Sequence, residues 1–161
     1  MIILVRVDDR LLHGQIICSW VPYLHADALL VASDEAASDS LTRDIISSCG
    51  CEGLDVVVKG VSEMVTDLKS DGLRSRRVIL IVADLKDAVR VYDGGVSFKT
   101  LNIGNLHHRD NGRELSPSVI INSEDERILE RFTALGVEID IRAVPTGPSS
   151  KYAVKDKGDV R

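Results

Sequence analysis

Short apolar runs alternate with amphipathic stretches along almost the whole chain. Ile2-Ile3-Leu4-Val5-Arg6-Val7, Ala28-Leu29-Leu30-Val31-Ala32, Leu54-Asp55-Val56-Val57-Val58 and Val78-Ile79-Leu80-Ile81-Val82 have the nearly unbroken aliphatic character of strands covered on both faces. Shorter runs at Leu101-Asn102-Ile103, Val119-Ile120-Ile121 and Val137-Glu138-Ile139-Asp140-Ile141 read the same way. Between them, helices are predicted over 15–21, over 36–49 with Asp34 or Ser38 starting it, and over 61–68. Two more follow, one from an Asp84 cap through Val91 to the Asp93-Gly94-Gly95 stop, the other over 124–135 and ended by Gly136. This alternation predicts an α/β fold: an open, mostly parallel twisted sheet of about six to seven strands with helices on both faces. In such a sheet the loops after the strand C-termini form the functional edge.

The length of 161 residues suits one domain, 1–161, whose pattern weakens after Pro145. Thr146-Gly147-Pro148-Ser149-Ser150 breaks the chain, so about 146–161 is expected to be a polar tail. With 44% apolar but only 4% aromatic residues, the core must be built from Val, Ile, Leu and Ala. A net charge of −5 excludes general nucleic-acid binding, and the one basic cluster, Arg74-Ser75-Arg76-Arg77, reads as a solvated turn before a strand. No apolar run is long enough to cross a bilayer and the opening stretch is too short for a signal peptide, so a cytoplasmic protein is expected. Cys18, Cys49 and Cys51 are then expected as free thiols, and Cys49-x-Cys51 alone is not a metal site.

The chemistry concentrates in Asp8-Asp9-Arg10-Leu11-Leu12-His13-Gly14-Gln15, which puts an imidazole and a guanidinium on a tight loop between the first strand and the first helix. An unprotonated imidazole is a competent nucleophile, and the helix N-terminus favours an anion beside it. His13 is the candidate for carrying a phosphoryl group. Arg10, with its planar fork, is the candidate for stabilising that group in transit. Gly14 and Gln15 would add backbone approach and a donor. Asp8 and Asp9 would orient Arg10 or His13, and Asp9 is grouped with the phosphate-binding residues. Trp20 is expected to pack the first helix and fix the loop from below. His107, His108 and Arg109, in a later loop on the same edge, are candidates for a partner-docking surface; His25 is expected to be exposed. An aspartate-phosphorylated receiver fails because the third strand ends Val57-Val58-Lys59-Gly60 without an acceptor carboxylate, and no glycine-rich dinucleotide fingerprint follows any strand.

Asp-Asp-Arg-Leu-Leu-His-Gly-Gln, with Trp20 beyond it, closely resembles the active-site loop of the IIB subunit of the mannose/fructose/sorbose class of the bacterial sugar phosphotransferase system. Ser33-Asp34-Glu35-Ala36-Ala37, Asp93-Gly94-Gly95-Val96 and Leu101-Asn102-Ile103-Gly104 resemble later segments of the family in the same order, carrying the likeness over residues 1–145. The resemblance implies a phosphotransferase that takes a phosphoryl group from phosphohistidine on a IIA subunit onto Nδ1 of His13. It would pass the group to a sugar held by membrane IIC and IID subunits, at whose inner face the protein would work. No cofactor or metal is implied, because the donor is already activated. A regulatory phosphorelay using the same His13 without sugar transport is the alternative. Two departures stand out. Gly147-Pro148 occupies a place where the family carries an acidic residue, and Asp84 stands near a small neutral polar position.

Overall fold

The computed structural model describes residues 1–107 and 112–154. A mostly parallel sheet in the order β3-β2-β4-β1-β5-β7-β6 forms its centre, from β1 (Ile2–Asp8), β2 (Ala28–Ala32), β3 (Asp55–Lys59), β4 (Val78–Val82), β5 (Thr100–His107), β6 (Arg113–Ser116) and β7 (Val119–Ile121). The first half of β5 pairs with β8 (Glu138–Ile141) and its last residues with β7, while β9 (Ser150–Lys151) runs antiparallel to β8 and β6 antiparallel to β7. The two antiparallel edge strands were not visible as apolar runs.

Helices α4 (Val61–Lys69), α5 (Leu85–Asp93) and α6 (Ser123–Ala134) cover one face, burying Met64, Leu85, Val91, Leu129 and Phe132 against Val5, Val7, Leu30, Leu80 and Val82. The opposite face is covered by a helix over 14–24, containing a π-helical turn at Ile16–Trp20 and ending in α1 (Val21–Leu24), and by α2 (Asp34–Ser38) and α3 (Ser40–Ser47). Here Ile16, Trp20, Ala36 and Ile46 meet Leu29, Val31, Ile79 and Ile81.

Two local departures from the sequence pattern, at 36–49 and at Arg76-Arg77, have definite causes, and one expected cap is found. The single helix expected over 36–49 is two helices. Ser33 caps α2, and Asp39, with extended backbone, caps α3 through the Leu41 N–H at 3.2 Å. Asp84 does cap α5, accepting from the Asp87 N–H at 2.8 Å. The Arg76 and Arg77 pair is not merely solvated: Arg76 bridges Asp27 and Asp55, and Arg77 ties back to the carbonyls of Leu24 and His25.

The glycine-containing stretch after Ile103, expected to leave the sheet as a loop, continues as β5 because Gly104 forms a bulge. Val7 pairs with Ile103, but Asp8 pairs with Asn105. The inserted residue shifts the alternation of side chains. Leu101 and Ile103 point into the main core and so does Leu106, which leaves Asn102 and Asn105 on the opposite face. On that face β1 presents Arg6 and Asp8 and β8 presents Asp140, so the part of the sheet under Trp20 is buried but polar.

The Arg6 guanidinium lies directly over Gly104, where a Cβ would come within 1.8 Å of Nη2. Being fully buried and held by several hydrogen bonds, the guanidinium cannot swing aside. Gly104→Ala is therefore expected to lower unfolding free energy by about 3–5 kcal/mol, the cost of breaking a buried ion pair. Gly14→Ala, where a Cβ would meet nothing within 4 Å, should leave the urea midpoint nearly unchanged. Equal urea midpoints for the two variants would disprove this.

Candidate functional site

At the C-terminal end of β1 the chain turns on the side chain of Asp8. Its Oδ1 accepts from the Arg10 backbone N–H at 3.1 Å, and the Asp8 carbonyl accepts from the Leu11 N–H at 2.9 Å. Leu11 takes a left-handed backbone with φ 55°, unusual for a residue with a Cβ, and Leu12 anchors the loop in the apolar core beneath. The His13 carbonyl then accepts from Ile16 and Ile17 and opens the helix. Gly14 and Gln15 are exposed, and as the first helical residues their N–H groups lack intrahelical acceptors.

Asp8 is fully buried and gathers two guanidinium groups and an imidazole. Arg6 donates to Oδ2 at 2.9 Å, Arg10 donates from Nε to Oδ1 at 3.2 Å, and His13 Nε2 lies 3.0 Å from Oδ2. Burial by itself would raise the Asp8 carboxyl. The hydrogen bond from His13, the charge of Arg6 and the hydrogen bond from Arg10 outweigh it and hold the group below the ordinary carboxylate value. An ionised carboxylate can only accept, so Nε2 of His13 carries the hydrogen. Nδ1 keeps its lone pair. The ring is one-fifth exposed and Arg10 about half exposed, so both reach the surface from a buried anchor.

Behind Asp8 the polar groups continue. Arg6 donates to Asn102 Oδ1 at 2.6 Å and to the carbonyls of Arg142 and Ala143 at 3.2 and 3.1 Å. Asn102 donates to Asp140 at 3.0 Å, and Asp140 also holds Arg142 and Ser149. Trp20 closes this layer, with the guanidinium carbons of Arg6 and Arg142 each 5.4 Å from its ring and its Nε1 donating to the Ala143 carbonyl at 3.0 Å. Burial pulls the Arg6 guanidinium below its ordinary value, and Asp8 opposes that pull.

Asp9 turns away from His13 toward β5. Its Oδ1 accepts from the Asn105 amide and its Oδ2 from the His107 backbone N–H at 3.0 Å. Both of its oxygens are thereby engaged as acceptors by residues of β5. His107 reaches the same edge as Arg10, and an open groove is lined by Asp9, Arg10, Asn105, His107 and Ile120. His108 and Arg109 lie outside the described residues. His25 is exposed at the opposite edge of the sheet, before β2. Cys18, Cys49 and Cys51 are free thiols.

Sequence reasoning singled out His13, Arg10 and Asp8 but missed Arg6, Asn102, Asp140 and Arg142. The available signal was a charged or amide residue interrupting an apolar strand, at Arg6, Asn102 and Asp140, in a chain whose central strands should be apolar throughout.

Residues 2–155 match the family described as the PTS system sorbose subfamily IIB component. The chain is 28% identical over 151 residues to the fructose-specific EIIB component of Bacillus subtilis, covering 94% of this chain and 93% of that protein. It is 28% identical over 148 residues to the mannose-specific EIIAB component of Escherichia coli, spanning 92% of this chain but 46% of that longer protein. Its fold superimposes on the crystal structure of the IIBSor domain of the sorbose permease from Klebsiella pneumoniae with a TM-score of 0.86 at 27% identity, covering 93% of this chain and 92% of that one. The chain thus belongs to the sorbose-subfamily IIB components of the sugar phosphotransferase system.

Proposed function

We propose that this IIB component is a phosphohistidine carrier in which His13 accepts a phosphoryl group on Nδ1 from a phospho-IIA partner and passes it to a sugar. The observation that carries this reading is the 3.0 Å contact of Asp8 with Nε2 of His13, which in the neutral ring leaves the lone pair on Nδ1, a nitrogen with no hydrogen-bond partner among the described residues. IIA and the membrane IIC and IID subunits are the proposed partners, and the E. coli relative, an EIIAB component, offers a parallel for the first. Among the described residues no helix is long and apolar enough to cross a membrane.

In the loading step the Nδ1 lone pair attacks phosphorus, the P–N bond of the donor breaks, and its electron pair returns to the donor imidazole. The loaded His13 ring bears the phosphoryl group on Nδ1 and hydrogen on Nε2, and is therefore cationic. The buried Asp8 carboxylate stabilises that cation without taking its proton. Arg10 and the open amides at Gly14 and Gln15 face the equatorial oxygens, where a loose transition state carries most of its charge. On discharge, the acceptor oxygen attacks phosphorus and the P–N electrons return to Nδ1.

Mass spectrometry after incubation with the general phosphotransferase proteins and a cognate IIA should find one phosphoryl group on wild type and none on His13→Ala. Stoichiometric histidine labelling of His13→Ala would refute the assignment. Arg10→Lys keeps the charge but loses the fork, and its loading should be slower by about 2–4 kcal/mol of barrier at nearly unchanged stability. Loading without discharge to any sugar in vesicles bearing IIC and IID would favour the regulatory relay. Asp8 supplies a further check through pH. Its folded-state value is depressed, so its contribution to stability is full above the ordinary carboxylate value and is lost as pH falls below it. Asp8→Asn should cost about 3–5 kcal/mol at pH 7 by leaving Arg6 buried and unpaired, with the gap to wild type closing as acid unfolding curves are followed below about pH 4.

A further inference from the structure

His107 occupies a position that the transfer chemistry above does not use. Its ring approaches two neighbours through the same nitrogen: Nδ1 lies 3.1 Å from the Asn105 side-chain nitrogen and 3.4 Å from Asp9 Oδ2. The two neighbours are chemically opposite. The Asn105 amide can only donate, so it suits a neutral ring whose Nδ1 accepts; the Asp9 carboxylate can only accept, so it suits a protonated ring whose Nδ1 donates. The Asn105 contact is the one with hydrogen-bond geometry, so Nδ1 accepts there and the ring hydrogen sits on Nε2, on the far side of the ring, where among the described residues it has no partner. With that contact made, His107 presents Nε2–H outward as a donor.

That donor opens into the groove of about 710 Å³ that His107 shares with Arg10, Asn105, Asp9 and Ile120. The Asp9 carboxylate keeps its charge, but the hydrogen bonds that Asn105 and the residue 107 amide donate to its two oxygens lessen its repulsion of an anion there. We propose that the groove is an oxyanion subsite in which His107 Nε2–H and Arg10 hold the oxygens of a phosphoryl group or phosphate monoester, making His107 a second donor to the group in transit. The proposal deepens the phosphocarrier reading and rests on it for its role in transfer. The subsite itself can be tested apart from that role.

His107→Phe removes the donor and His107→Gln keeps an N–H. Both keep the backbone amide that donates to Asp9, so the tie between β1 and β5 survives. Titration of the labelled full chain with inorganic phosphate, followed by side-chain nitrogen NMR, should shift His107 Nε2 and Arg10 Nε together. The Phe variant should bind phosphate about tenfold more weakly, and the Gln variant within about threefold of wild type, as expected for one hydrogen bond to a charged group. Loading of His13 from phospho-IIA should show about a tenfold lower kcat in His107→Phe with KM nearly unchanged, the mark of an interaction made in the transition state. Unchanged phosphate affinity in the Phe variant would overturn the subsite, and a raised KM at unchanged kcat would reduce His107 to a docking residue and overturn its role in transfer. If wild-type His13 takes no phosphoryl group, the carrier reading and the transfer role fall together, and the phosphate titration still decides whether the subsite exists.

Discussion

The ion pair between Arg6 and Asp8 is the constraint to which the rest of the structure is fitted. Both side chains have no exposure, and two charges taken out of water are tolerable only when every donor and acceptor finds a partner. The surrounding residues meet that demand. Asn102 and two carbonyls of the 142–143 segment take the remaining guanidinium hydrogens, and Trp20 covers the plane. Gly104 supplies the space. On the solvent side, Arg10 and His13 complete the carboxylate. A residue that looks catalytic and a residue that looks structural therefore share one oxygen, Asp8 Oδ2.

The two arginines near Asp8 illustrate how position decides the use of the same side chain. Arg6 spends its donors inward and is unavailable to any ligand, whereas Arg10, half exposed, has an end that can turn outward. Arg142, whose guanidinium carbon also lies 5.4 Å from the Trp20 ring, is committed to Asp140 and the Pro145 carbonyl. Of these three guanidinium groups around the site, Arg10 is the most exposed while still tied to Asp8, which suits the role proposed for it beside a phosphoryl group.

The strands β1 to β4 and helices α4 to α6 were legible because aliphatic runs of strand length and amphipathic stretches between caps leave few alternatives. The strand–loop–helix that carries His13 and Arg10 was equally legible, because a histidine and an arginine at that spacing are chemically conspicuous, and both do gather on Asp8. The polar layer was not. Asn102 lies 96 residues from Arg6, and Asp140 reaches it only through β8 pairing on β5, so each looked like an isolated blemish in its strand. The break at Asp39 escaped notice because aspartate also fits a helix interior moderately well. The continuation of β5 through Gly104 escaped because glycine ordinarily signals a strand's end. His107 was placed on the correct edge, but its ring environment depends on Asp9 and on a register that no local pattern encodes.

The bulge at Gly104 has a consequence for how such a site can diversify. Because side chains alternate along a strand, one extra residue would exchange the two faces for everything downstream, but here the bulge absorbs it: Gly104 and Asn105 both lie on the polar face, and Leu106 still goes to the core. Removing Gly104 would leave these faces as they are, whereas a further residue that no bulge absorbed would exchange them. The composition of the groove is thus encoded as much by the count of residues in β5 as by their kind. One inserted residue between Asn105 and Leu106 would put an aliphatic group where the imidazole now stands, a change that comparing residue types position by position would miss.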